Sequence, residues 1–310
     1  MNEQTKNPLL CDPETGVCEM PESISTEDIL STSTQHKPVK IIYYTDPICS
    51  SCWGIEPQLR RLKLEYGDNL EVDYRMGGLL PDWSYNSGGI SKPSDVASHW
   101  EEVSLNYEMP IDGDVWLEDP LSSSYPPSVA VKAAQLQDKE KAVRFMRKLR
   151  ELLFLDKKNI TRWEVIRKAA IAVGLDTFQL KDDYEGRANI LFEEDLAYAR
   201  KIGARGFPTL FFTDKSNNQT ILYGVKPYQD FESLLLKVFP EAKKKVIELS
   251  SGRSLFDYYP TLTVKEYAVI GEMSTSAAAL KLENLFSTGQ IDKQVIKTGS
   301  LYKARISVSY

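Results

Sequence analysis

Apolar positions divide the chain into three stretches. Residues 1–37 show neither helical nor strand periodicity and are rich in Ser, Thr, Pro and Glu, so they read as a flexible arm. The pattern changes at residue 38. Val39–Tyr44 is a short apolar run of β-branched and aromatic residues, which predicts a buried strand. Behind it, Ile55, Leu59, Leu62 and Tyr66 recur at helical spacing, and Gly67-Asp68-Asn69 supplies a stop. Leu70–Arg75 alternates apolar with polar residues and predicts a second strand. The result is a β-α-β unit with Cys49-Ser50-Ser51-Cys52 between its first strand and its helix.

From about residue 93 to 203 the period is helical. Helices are predicted over Ser94–Tyr107, Pro127–Gln137, Glu140–Leu155, Trp163–Val173, Thr177–Asp183 and Asn189–Ile202, with Gly174 as a C-terminal cap. Trp100, Trp116 and Trp163 read as the core of this block. Strands then return at Leu210–Phe212 and Thr220–Tyr223, and a helix at Tyr228–Leu236. The expected fold class is α/β, a 38–240 unit with a large helical insertion at about 93–203. A small C-terminal unit, 241–310, is expected to be mainly helical, with stretches at Thr263–Met273 and Ser276–Ser287 and a winged-helix-like end.

Composition narrows the chemistry. At 310 residues the chain is long enough for about two domains. Its formal charge of -6, from 44 acidic and 38 basic residues, provides no field to draw it onto nucleic acid or anionic lipid. The first residues lack a basic stretch followed by an apolar one, and no run approaches the roughly 18 apolar residues of a membrane helix, so a cytoplasmic address is expected. Four cysteines, Cys11, Cys18, Cys49 and Cys52, are too few for a disulfide scaffold. In a reducing compartment, paired cysteines do redox chemistry or bind metal.

The setting of Cys49 and Cys52 favours redox chemistry. A thiolate, not a thiol, attacks a disulfide, and a cysteine at a helix N-terminus gains stabilisation of that thiolate. Cys49 stands at that point and Cys52 one turn deeper, where it can resolve a mixed disulfide. The alternatives are inert thiols or half a zinc site. Zinc needs four ligands, and the Cys11/Cys18 spacing lies outside the usual range, so no metal and no cofactor is expected. Asp46 is placed to cap the helix or form the turn before Pro47, the favoured reading, or to accept a proton from Cys52. Pro57 is expected to kink the helix that carries the pair. Pro208, after Gly206-Phe207 and before a strand, suits a cis bond that presents backbone groups to a substrate chain.

The segments DPICSSCWGIEP and GARGFPTLFF together resemble the DsbA family of thioredoxin-like oxidoreductases, in its cytoplasmic branch of FrnE-like proteins and SpxH/YjbH adaptors of the ClpXP protease. The resemblance spans roughly Val39 to Pro240. It implies a thioredoxin fold with a helical insertion, with Cys49 the exposed attacking thiol, Cys52 the resolving one, and Pro208 cis. Trp53 and Phe207 are candidates for a substrate-contact surface beside them, with packing an equal alternative for Trp53. The Ser50-Ser51 dipeptide departs from the histidine of strongly oxidising members, which implies a less acidic Cys49. Cys11 and Cys18 read as a second redox pair, a metal- or partner-binding arm, or two passive thiols. The function expected is thiol–disulfide oxidoreductase or isomerase, acting on protein or small-molecule disulfides through a mixed disulfide on Cys49. The alternative is a ClpXP-type adaptor or redox-sensing binding protein, whose partners would be a protease and its client.

Overall fold

The computed structural model describes residues 37–84, 92–248 and 251–305, together with the backbone of 11–12 and 17–19. In chain order, strands β1 (Cys11–Asp12) and β2 (Val17–Glu19) come first. Then β3 (Val39–Thr45), α1 (Ser50–Gly54), α2 (Glu56–Tyr66) and β4 (Leu70–Met76) form the β-α-β unit. The insertion comprises α3 (Pro93–Tyr107), α4 (Val115–Glu118), α5 (Tyr125–Gln137), α6 (Lys139–Phe154), α7 (Trp163–Ala172), α8 (Thr177–Glu185) and α9 (Arg187–Ile202). The chain returns through β5 (Gly206–Phe207), β6 (Thr209–Thr213), β7 (Gln219–Tyr223) and α10 (Tyr228–Val238).

The central sheet runs β4-β3-β6-β7. β3 pairs in parallel with β4, Ile41 opposite Val72, and antiparallel with β6, Ile42 opposite Phe211. Every residue of β3 except Lys40 is buried, as expected of a central strand covered on both faces. Pro57 falls in the first turn of α2, where its missing N–H leaves no bond unmade. The helix behind the cysteines is accordingly broken at Ile55 into α1 and α2. This is a thioredoxin-like α/β fold with a helical insertion.

One expectation changes. The first 37 residues were expected to lack regular structure. Instead, among the described residues, β1 and β2 pair with each other and β2 pairs with β5. The β2–β5 pairing joins positions nearly two hundred residues apart, so no local period announces it.

The C-terminal unit is helical, as expected, and also holds a small sheet. It contains α11 (Leu255–Tyr258), β8 (Thr261–Thr263), α12 (Val264–Ile270), α13 (Thr275–Ser287), β9 (Ile291–Ile296) and β10 (Gly299–Ala304). Its strands form an antiparallel sheet in the order β8-β10-β9. It has an apolar core of its own around Leu262, Tyr267, Leu282 and Tyr302, while Ile296 and Leu301 pack into the core of the main unit.

Candidate functional site

Cys49 is the N-cap of α1, and its Sγ accepts the Cys52 backbone N–H at 3.1 Å. Both cysteines are 0% exposed and are present as thiols. The exposed attacking thiol implied by the family resemblance is therefore corrected: Cys49 is fully buried. α1 is only five residues long and stops before α2 begins. The charge that favours the thiolate at both sulfurs is that of Arg150, which the sequence reading did not single out.

Arg150 is fully buried. Its Nη1 pairs with Glu56 Oε1 at 2.5 Å, and its Nη2 donates to Thr45 Oγ1 at 2.6 Å and to the Asp46 carbonyl at 3.2 Å. These bonds hold a guanidinium beside the cysteines, where its charge reaches both sulfurs. Burial works to raise the Cys52 thiol, but a hydrogen bond with Cys49, the Arg150 charge and the Thr45 hydroxyl outweigh it and hold Cys52 below the usual cysteine range. Burial and the hydrogen bond with Cys52 push Cys49 the other way. The two lose their protons as a pair, one early and one late. The Ser50-Ser51 dipeptide carries no cation, yet the site contains one, supplied from the insertion. A signal existed: Ala142, Phe145, Met146, Leu149 and Leu153 mark the buried face of α6, and Arg150 lies on that face.

Asp46 makes the turn before Pro47 and adds two further bonds to it. Oδ1 accepts the Ile48 N–H at 2.9 Å; Oδ2 accepts the Leu79 N–H at 2.8 Å and the Ser124 hydroxyl at 2.9 Å. The carboxylate thus ties the cysteine loop to two neighbouring segments. Burial lifts its pKa to about 6 against the pull of those hydrogen bonds and of Arg150.

Trp53 does not line a contact surface. It is fully buried, donates Nε1–H to the Pro110 carbonyl at 3.1 Å, packs on Phe154 and lies under the Arg147 guanidinium at 4.2 Å. The Phe207 side chain is likewise buried, and a Cβ on Gly77 would meet its ring at 1.9 Å. The Phe207–Pro208 bond is cis. Among the described residues no cluster of His, Cys, Asp and Glu could hold a metal ion, and no helix is long and apolar enough to cross a membrane.

Next to the cysteines lies a chain of buried charges. Glu56 faces Arg60 at 3.5 Å as well as Arg150, and Arg150, Arg60 and Arg147 hold its carboxyl below the ordinary range although burial works to raise it. Arg60 meets Glu266 of the C-terminal unit at 3.1 Å. Arg147 grips the same carboxylate with two bonds, at 2.7 and 3.1 Å.

The sequence profile of the family described as Thioredoxin matches residues 43–233. Two curated relatives are ClpXP adapter proteins SpxH. The one from Halalkalibacterium halodurans is 32% identical over 305 residues, covering 96% of this chain and 98% of its own. The one from Shouchella clausii is 30% identical over 306 residues, covering 98% and 99%. The chain belongs to the thioredoxin family, in the DsbA-like branch that holds the SpxH proteins. Among solved structures, the cytosolic disulfide reductase DsbM from Pseudomonas aeruginosa aligns with a TM-score of 0.53 at 21% identity, covering 64% of this chain and 98% of that one. That likeness is one of fold.

Proposed function

We propose that this chain is a protease adapter of the ClpXP type, built on a thioredoxin scaffold whose cysteine pair remains capable of redox exchange. The observation that carries the reading is the extent of the likeness to SpxH. It runs over 96–98% of the chain and so includes the C-terminal unit, whereas the match to DsbM covers 64%. Burial of both sulfurs supports it, because an adapter can use a dithiol to register redox state without turning over many substrates.

The experiment is a comparison of protein half-lives, by pulse labelling and mass spectrometry, in cells lacking this chain, lacking the ClpX unfoldase, or carrying Cys49→Ser. An adapter leaves a small shared set of proteins long-lived in the first two strains and short-lived, or differently redox-dependent, in the third. If the first strain shows no protein with a lengthened half-life, the adapter reading fails.

A second reading has its own support. The Arg150 guanidinium beside a dithiol favours thiolate formation, which suits an oxidoreductase or isomerase. In that case Cys49 would attack a protein or small-molecule disulfide and Cys52 would release the mixed disulfide. Turnover in insulin reduction, abolished by Cys49→Ser, would favour this reading.

A further inference from the structure

The N-terminal cysteines lie on a hairpin that meets the site. In the β2–β5 pairing Cys18 is opposite Phe207 and Glu19 opposite Gly206; in the β1–β2 pairing Cys11 is opposite Cys18 and Asp12 opposite Val17. The register of the central sheet ends with Thr209 opposite Tyr44. β5 leads into that strand and lies against β3, whose end runs into Asp46, and the Asp46 carbonyl accepts the Cys49 N–H at 3.2 Å. β5 is thus the strand bordering the cysteine loop. Its outer edge has N–H and C=O groups to which an extended polypeptide could add as a strand. Here the chain's own segment has taken that edge.

The segment that takes it is not arbitrary. The whole sequence contains four cysteines, and backbone pairing brings the two outside the CxxC motif to the edge beside it. Directly opposed residues of antiparallel strands have Cα atoms about 4.5–5.5 Å apart, inside the range of about 4.4–6.8 Å that a disulfide spans. Cys11 and Cys18 are therefore placed, at the level of the backbone, to be joined and separated without moving the strands.

We infer that the Cys11–Cys18 hairpin is an internal disulfide-exchange substrate of the Cys49–Cys52 pair, seated in cis on the β5 edge where an external polypeptide would otherwise add. This rests on the redox competence proposed above for Cys49 and Cys52. Exchange starts from a Cys49–Cys52 disulfide and a Cys11/Cys18 dithiol. The Cys18 thiolate attacks Cys49 Sγ, a Cys18–Cys49 bond forms, and Cys52 leaves as thiolate. The Cys11 thiolate then attacks Cys18 Sγ and releases Cys49. Two electrons pass from the hairpin to the buried pair, and the two protons lost by Cys11 and Cys18 balance those taken up by Cys49 and Cys52. The sequence is reversible. A client that adds to the same edge must displace the hairpin, so client binding and exchange exclude one another.

The test uses the full chain with one sulfur left in each pair. Cys11→Ser/Cys52→Ser is equilibrated in a glutathione buffer, quenched by alkylation and peptide-mapped by mass spectrometry. The expected product is a Cys18–Cys49 cross-link outweighing glutathione adducts, because a tethered thiol acts at an effective concentration on the order of millimolar. The companion Cys18→Ser/Cys52→Ser should give about tenfold less Cys11–Cys49 cross-link, since only Cys18 is on the strand paired to β5. Equal cross-linking from either position, or a Cys49 that takes glutathione but never Cys18, overturns the inference. Wild type gives a measurement without any buried substitution. A limiting oxidant should distribute between the two pairs at a rate independent of protein concentration; a rate proportional to concentration, or no transfer, also overturns it. A reversible Cys49–Cys52 disulfide in Cys11→Ser/Cys18→Ser leaves the redox reading standing when the hairpin fails. Its absence in every variant removes both.

Discussion

A buried guanidinium next to two buried thiols adds to the hydrogen bond between the sulfurs in favouring a thiolate, although the dipeptide between the cysteines carries no cation. Arg150→Met should raise the pKa of the first thiolate, read from thiolate ultraviolet absorbance against pH. It should also destabilise the fold by about 3–5 kcal/mol, because Glu56 loses its nearest partner. Arg150→Lys should restore much of the acidity but not the fork to Thr45 and Asp46. An unchanged first thiolate in Arg150→Met would remove Arg150 from the account. Asp46 gives a second residue-scale expectation. Its folded pKa of about 6 lies above the roughly 3.9 of an unfolded aspartate, so the native state holds the proton more tightly. The sign follows: stability from this group is full below about pH 4 and is lost as pH rises through about 6. The difference is on the order of 3 kcal/mol. His99, held down by burial, works in the opposite direction over the neighbouring range, so the contribution is isolated by subtraction. Denaturant unfolding at about pH 5, 6 and 7 should show a falling component in wild type that Asp46→Asn lacks. Parallel curves for the two proteins would refute it.

Among elements, α6 (Lys139–Phe154) does two jobs from one face. Arg150 reaches the cysteine loop, and Arg147, three residues earlier, reaches Glu266 at the start of α12. Residues three apart lie together on a helix, so the redox site and the C-terminal unit are held by adjacent positions of one rigid element. Glu266 also closes a capping box with Thr263, accepting its N–H at 2.8 Å. Replacing it with Gln leaves Arg60 and Arg147 facing a neutral amide in a buried place. Glu266→Gln is expected to destabilise docking of the C-terminal unit by several kcal/mol. Limited proteolysis should then cut the segment around residues 241–250 faster than in wild type, while the Cys49–Cys52 region stays protected. Equal cutting rates would show that the carboxylate's charge is dispensable. Gly77 gives a cheaper probe of the opposite side of the site. A Cβ there would strike the Phe207 ring, and Gly77→Ala should lower stability by about 1–3 kcal/mol through overpacking against β5; an unshifted melting curve would mean that the ring moves freely aside.

For the whole molecule, the sequence made most of the main unit legible, because its signals are local. VKIIYY is apolar but for Lys40, helical spacing follows the cysteines, and Pro57 breaks the helix close behind the pair, as its chemistry requires. What stayed hidden is long-range. Cys18 meets Phe207 and Arg147 meets Glu266 across large separations, and neither contact alters the period of its own segment. β8 is three residues long, too short to show alternation, and β10 (Gly299–Ala304) begins with Gly and Ser, which blur it. Burial of Cys49 and Trp53 was likewise invisible, since it depends on what the insertion and its neighbours bring over them. Charges on an apolar helix face, such as Arg150 among Phe145, Leu149 and Leu153, are the readable trace of such contacts.

The shared carboxylate of Glu266 has an evolutionary consequence. Arg60 and Arg147 each keep a carboxylate of the main unit, Glu56 and Glu151, and share Glu266 of the other unit. A lineage that lost everything after Pro240 would leave each arginine one carboxylate and bare the apolar surface that Ile296 and Leu301 now cover. Recombination could therefore detach the terminal unit while sparing positions 60 and 147, provided that surface turned polar. Shorter cousins of this chain should show polar side chains there.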